Sequence, residues 1–188
     1  MKGKNVTVVT NPEIGSEKLK GDIVLKNTSD DTLTLEGVVK TFSWPGEYEV
    51  RDVPVSGFQA WTKSRSKEEG EAEDVEGTVI YFFKVDDFKF CHLGELGHKL
   101  TSEMVNKIGD IDFLFVPAGA DTNLDTKRAM EIIESIDPRV VVPMGAGDFT
   151  SLLKVLGAEG VERLDKFVIK STSELPDDKR LNLVLNKA

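Results

Sequence analysis

Five consecutive apolar residues, Val79, Ile80, Tyr81, Phe82 and Phe83, constrain this chain more than any other segment. Successive side chains of a strand point to opposite faces, so an unbroken apolar run reads as a strand covered on both sides rather than one facing water. Such a strand belongs near the centre of its sheet. The chain has 188 residues, 39% of them hydrophobic. That is enough for one domain over residues 1–188 to bury a core without disulfides or a structural metal.

Around this run, short β-rich segments fill the first half. The expected strands are Asn5 to Thr10, Asp22 to Lys26, Leu33 to Phe42, Glu47 to Val50, Val53 to Trp61, Thr78 to Val85 and Asp87 to Leu93. Strands then alternate with helices. Leu100 to Ile108 reads as a helix opened by Thr101 or Ser102, followed by a buried strand from Ile111 to Val116. Ala129, Ile132, Ile133 and Ile136 recur at i, i+3, i+4 and i+7, the stripe of a helix buried on one side, with Asp125 placed to cap it. Val140 to Val142 is another buried strand and Phe149 to Leu156 a third helix stopped at Gly157. Lys166 to Lys170 and Leu181 to Leu185 read as closing strands. Helices must cover the faces of a sheet, so this order predicts a layered α/β sandwich. The charged stretch Lys63 to Glu76 has no apolar period and reads as a solvated loop, with a docking or lid segment as the alternative.

Twenty-four basic against 33 acidic residues leave a net charge of −9. A field of that sign repels polyphosphate backbones and argues against nucleic-acid binding. No apolar stretch approaches the length of a membrane span, and the first ten residues lack the pattern of a signal peptide, so a soluble cytoplasmic protein is expected. Cys91 is the single cysteine, which excludes an internal disulfide and every zinc site built on paired thiolates. His92 and His98 complete the supply of soft ligands.

Common catalytic patterns are scarce. No serine sits in a G-x-S-x-G elbow. Cys91 and His92 are neighbours on a strand, so their side chains point to opposite faces and cannot form a nucleophile–base pair. Gly145 to Asp148 follows a valine-rich strand as a phosphate-binding turn would, without the lysine or the dinucleotide fingerprint that would make it one. His92 shares a strand face with Phe88 and Phe90, the setting of a core histidine. Glu95 and His98 lie on one short loop and could be presented together.

Four segments carry a resemblance: WPGEYEV at Trp44 to Val50, HLGELGH at His92 to His98, IDFLFVPAG at Ile111 to Gly119 and PRVVVPM at Pro138 to Met144. In order and spacing they resemble the metallo-β-lactamase superfamily, in its small Zn-dependent hydrolase-like branch. The resemblance implies an αββα sandwich with its active site at one edge, and a chain truncated at the opening hairpin. It also implies metal chemistry, in which imidazole and carboxylate ligands hold one or two ions that supply hydroxide.

Laid on this sequence, the family's ligand pattern falls on positions that mostly do not ligate. The H-x-H-x-D-H loop falls on Thr28, Asp30, Thr32 and Leu33, and a later histidine on Thr62. Glu95 stands for the aspartate of HLGD, and Gly145 for the histidine after P-M. Only Asp30 and Glu95 retain carboxylates that could still ligate, enough for a weakly held divalent cation but not for tight zinc. The resemblance therefore implies a metallo-β-lactamase-fold protein with a degenerate metal site, no cofactor and a binding or scaffold role. It also implies self-association or an unidentified protein partner. The alternative is a rewired hydrolase of a phosphoester, lactone or amide that uses Glu95, His92 and His98.

Overall fold

The computed structural model describes residues 1–12, 19–27, 35–63, 76–119, 122–145 and 147–186. Its strands are β1 (Val8–Thr10), β2 (Ile23–Leu25), β3 (Lys40–Phe42), β4 (Gly46–Val50), β5 (Val53–Trp61), β6 (Gly77–Val85), β7 (Phe88–His92), β8 (Phe113–Pro117), β9 (Val140–Met144), β10 (Arg163–Leu164), β11 (Leu181–Asn182) and β12 (Val184–Leu185). The helices are α1 (Ser102–Ile108), α2 (Thr126–Ile136) and α3 (Thr150–Val155). A seven-stranded sheet runs in the order β11-β9-β8-β7-β6-β5-β4, a three-stranded sheet in the order β1-β2-β3, and β10 pairs with β12.

β6 lies inside the large sheet, as its apolar run requires, and sorts that run between two cores. Val79, Tyr81, Phe83 and Val85 face inward, where they pack with Val8, Ile23, Leu25 and Phe42 from the smaller sheet. Ile80 faces outward and packs with Ala60, Cys91, Leu114, Val141 and side chains of the helices. α1, α2 and α3 each bury residues in this outer core, so these three lie on one side of the large sheet. Phe82 shares that outer face but is only half-buried, so cover on this side is incomplete at β6.

Local chemistry fixes the helices where the sequence places them. Thr101 caps α1 by accepting the Met104 N–H at 3.3 Å, and Asp125 caps α2 by accepting the Arg128 N–H at 2.8 Å. The stripe Ala129, Ile132, Ile133 and Ile136 is buried. Crossovers through α1 and α2 make β7, β8 and β9 parallel neighbours.

The expected strand Lys166 to Lys170 does not form. Phe167 instead sets its ring edge-on against Phe113 at 6.2 Å, and Ile169 packs into the inner core, so this segment alternates in and out with no ladder. The strand in this region is β10. Leu181 to Leu185 is broken at Leu183 because its two ends pair differently, β11 with β9 and β12 with β10. Of Leu33 to Phe42, only Lys40–Phe42 is strand; Gly37 turns the chain at φ +82, and residues 28–34 lie outside the described residues. Nearly all of the Lys63 to Glu76 loop lies outside them too. A single antiparallel bridge, Lys2 to Thr7, precedes β1. Among the described residues, no helix is long and apolar enough to cross a membrane.

Candidate functional site

The loop that leaves β7, residues 92–98, is built by backbone packing. Gly94 has φ +61, and a β-carbon there would overlap the Asn27 amide and stand 2.7 Å from Thr78 Oγ1. Gly97 is pressed onto the Thr62 carbonyl, where a β-carbon has no room, and its N–H donates to Trp61 O at 3.0 Å. Glycine is required at both positions, the first by conformation and contact, the second by contact. The Glu95 N–H donates to Thr78 Oγ1 at 3.2 Å, leaving the Glu95 side chain exposed.

Both histidines are engaged by backbone. His98 accepts the Trp61 N–H on Nε2 at 3.2 Å and donates from Nδ1 to Lys99 O at 2.7 Å. Those two bonds select the Nδ1–H tautomer and occupy both nitrogens a metal would use. His92 is 4% exposed, with its ring 5.8 Å from that of Phe115. Its Nδ1 accepts the Gly94 N–H at 3.2 Å. Burial disfavours the imidazolium and pulls its pKa down to about 4. Cys91, on the opposite face of β7, lies in the outer core, where burial pushes the thiol pKa up. The two therefore form no dyad, as their adjacency on a strand requires.

The remaining positions are also structural where they are described. The Thr62 hydroxyl accepts the Glu76 N–H at 3.2 Å and donates to Glu76 O at 3.3 Å, closing the end of the β5–β6 pair. Gly145 has φ +126, and a β-carbon there would stand 2.8 Å from Ala118 O. Thr28, Asp30, Thr32 and Leu33 lie outside the described residues. In the Gly145 to Asp148 turn, Asp148 is tied to the first residue of α3: it accepts the Thr150 hydroxyl and the Thr150 N–H, which hold its carboxyl below the usual range.

Sequence reasoning passed over Asn27 and Thr78, and these two organise the edge. Asn27 is 1% exposed. Its backbone N–H donates to Asn11 Oδ1 at 2.8 Å, its side-chain amide donates to Val79 O, and its carbonyl accepts the Val79 N–H at 3.0 Å. This ties the end of β2 to β6. Among the described residues, Asn27 Oδ1 is buried without a hydrogen-bond partner. The signal available in sequence was a polar residue two positions after the apolar run of β2, a weak one.

Among the described residues, no three His, Cys, Asp or Glu side chains converge on a point where a metal would sit. Structural zinc takes four ligands and catalytic zinc keeps three from the protein, so the described donors do not make a zinc site. A cavity of about 440 Å³ lies over the carboxyl ends of β8 and β9, bordered by Pro117, Gly119, Asn123, Asp125, Asp148 and Phe149. None of His92, Glu95, His98 and Gly145 lines it.

Residues 1–145 match the family model described as Beta-lactamase superfamily domain. A protein of Methanopyrus kandleri named UPF0173 metal-dependent hydrolase is 25% identical over 104 residues, 55% of this chain and 45% of that protein. Its namesake from Carboxydothermus hydrogenoformans is 27% identical over 99 residues, 53% of this chain and 43% of that protein. The aligned stretch thus spans less than half the length of these relatives. Among solved structures, a proposed Zn-dependent hydrolase of the metallo-β-lactamase superfamily from Thermotoga maritima superposes with a TM-score of 0.75 at 24% identity. The match covers 98% of this chain and 91% of that one, and establishes a shared fold. A proposed metal-dependent hydrolase from Parabacteroides distasonis superposes more loosely, with a TM-score of 0.54 at 12% identity over 88% of this chain and 76% of that one.

Proposed function

Since this chain belongs to the beta-lactamase superfamily domain family, whose chemistry depends on metal ligands at one edge of the sandwich, we propose that it keeps the fold for binding or scaffolding and not for metal-dependent hydrolysis. The observation that carries this reading is the state of His98. Both of its ring nitrogens are committed to backbone, one to Trp61 and one to Lys99, so the imidazole braces two chain segments. The neutral, buried His92 and the crowded Gly145 point the same way. Fold does not fix function, and among the described residues Thr62, His92, His98 and Gly145 are engaged by packing and backbone.

Metal content of the purified, untagged protein tests the reading, together with zinc titration calorimetry on the wild type and on His98→Ala. The expected result is less than about a tenth of an equivalent of transition metal, with no zinc binding tighter than about 10 µM in either protein. Near one equivalent of zinc, lost in His98→Ala or Glu95→Gln, would overturn it in favour of a hydrolase that uses Glu95 and the histidines.

A further inference from the structure

The large sheet ends at β4, and among the described residues no strand pairs with the free edge of β4. The turn that follows fixes which backbone groups that edge shows. Arg51 and Asp52 have φ of 53 and 61, the two central residues of a type I′ hairpin, so Val50 and Val53 close it as a hydrogen-bonded pair. Such pairs alternate along an antiparallel ladder. Tyr48 with Val55 and Gly46 with Gly57 therefore exchange bonds, whereas Glu47 with Ser56 and Glu49 with Pro54 do not. Pro54 has no N–H to give and sits at a pair that needs none. The N–H and C=O of Glu47 and Glu49 thus point away from the sheet. The same two residues carry exposed side chains on the outer face, opposite to Tyr48 and Val50, which pack toward the inner core. No ion pair to either is formed among the described residues. Arg51 is taken by Asp22, Lys40 shares the inward face of β3 with Phe42, and Lys84 stands beyond Pro54, two strand spacings or about 10 Å away.

We propose that this edge takes up an extended basic segment of a partner protein as an added antiparallel strand. The free backbone groups of Glu47 and Glu49 supply the ladder, and their carboxylates select the sequence. Directly across from them the added strand carries Lys or Arg at two positions separated by one residue, each within reach of a glutamate on the same face. The residue between them falls opposite Tyr48 and is apolar, extending the inner core. A second copy is the wrong occupant of this edge. Laid antiparallel about a two-fold at Tyr48, it sets Glu47 against Glu49 of the second copy, twice by symmetry. Charged side chains guard an edge strand against its own kind, and the same charges admit a strand of opposite sign. Trp44, two residues before β4 and 66% exposed, offers an aromatic contact at the end of the edge. It is held there by Tyr48, whose hydroxyl donates to the Trp44 and Pro45 carbonyls at 3.2 Å.

Amide exchange and binding followed by NMR on the full chain test this, at physiological salt, with a short end-capped peptide that alternates lysine and valine. In the free chain the Tyr48 N–H should exchange slowly and those of Glu47 and Glu49 quickly. Binding should slow the latter two at least about tenfold. A peptide of the same composition with its lysines in one block should bind at least about tenfold more weakly. The double variant Glu47→Lys, Glu49→Lys should lose the lysine peptide and take up one that alternates glutamate and valine. Glu47 and Glu49 amides already protected in the free chain would overturn the proposal, with the edge covered by this chain or, if protection rises with protein concentration, by a second copy. Equal binding of the two lysine peptides without protection would overturn it too, as attraction to net charge alone, and so would no binding of the alternating peptide up to about 1 mM. The proposal gives the binding role a surface, yet the two fail separately: zinc content decides the first reading and leaves this edge untouched.

Discussion

The α-carbon of Gly97 rests directly on the backbone carbonyl of Thr62, two residues 35 positions apart in the chain, with no space between them for a methyl group. The contact joins the loop after β7 to the end of β5, and the Gly97 N–H to Trp61 O bond holds the same junction. Gly97→Ala must displace one of two backbones that are both hydrogen-bonded. It is expected to lower unfolding free energy by about 3 kcal/mol, read as a lower urea midpoint at unchanged slope. A loss below about 0.5 kcal/mol would show that the loop relaxes freely and that the packing is not tight.

His92 supplies a pH dependence whose sign is fixed by burial. Its pKa falls from 6.5 in the unfolded chain to about 4 in the fold. Between those values the unfolded state binds more protons, so the contribution is whole above pH 6.5 and fades as the pH falls toward 4. The shift corresponds to roughly 3 kcal/mol. Carboxylates add their own acid sensitivity, so the comparison is with His92→Gln. Between pH 7 and pH 4 the wild type should lose about 2–3 kcal/mol more than the variant in urea unfolding. Parallel pH profiles for the two proteins would mean that His92 is hydrated in solution.

Gly145 tests whether the edge can be returned to a ligating state by one substitution. Gly145→His places a side chain at φ +126 with its β-carbon 2.8 Å from Ala118 O. Such a backbone geometry is strained for any residue but glycine, by about 1–3 kcal/mol before the contact is counted. The variant should melt several degrees below the wild type and bind no zinc. A variant as stable as the wild type that takes up one equivalent of zinc would show that the Ala118 segment yields readily and that other donors complete a site.

Much of the fold is legible where a periodic pattern meets a full partner set. The stripe on α2 and the apolar runs of β6 and β9 fall where their side chains dictate, and Asp125 and Thr101 mark the helix starts. The pattern misleads where alternation exists without a ladder. Lys166 to Lys170 alternates as a strand would, but its inward residues pack on Phe113 and the inner core with no strand beside them. The site is legible as residue types and illegible as roles. That His98 cannot easily ligate follows from a bond to Trp61, 37 residues away, which no local pattern encodes. Asn27 and Thr78 matter because Gly94 approaches them, a fact of tertiary contact alone. Equally, the double cover implied by Val79 to Phe83 holds for Ile80 and fails at Phe82, because where a helix ends over a sheet is set by crossovers, not by the strand beneath.

The Thr62–Glu76 clasp has a bearing on how this chain can vary. The Thr62 hydroxyl, which donates one hydrogen bond and accepts another, and the Thr62 N–H, which donates to Glu76 O at 3.0 Å, fasten both ends of the intervening segment. With its ends fixed by the sheet, that segment is free to change in length at a cost that grows only with the logarithm of its size, about 0.6 kcal/mol per doubling. The clasp makes this the natural port for a graft, where a foreign peptide or reporter can be inserted while β5 and β6 keep their register.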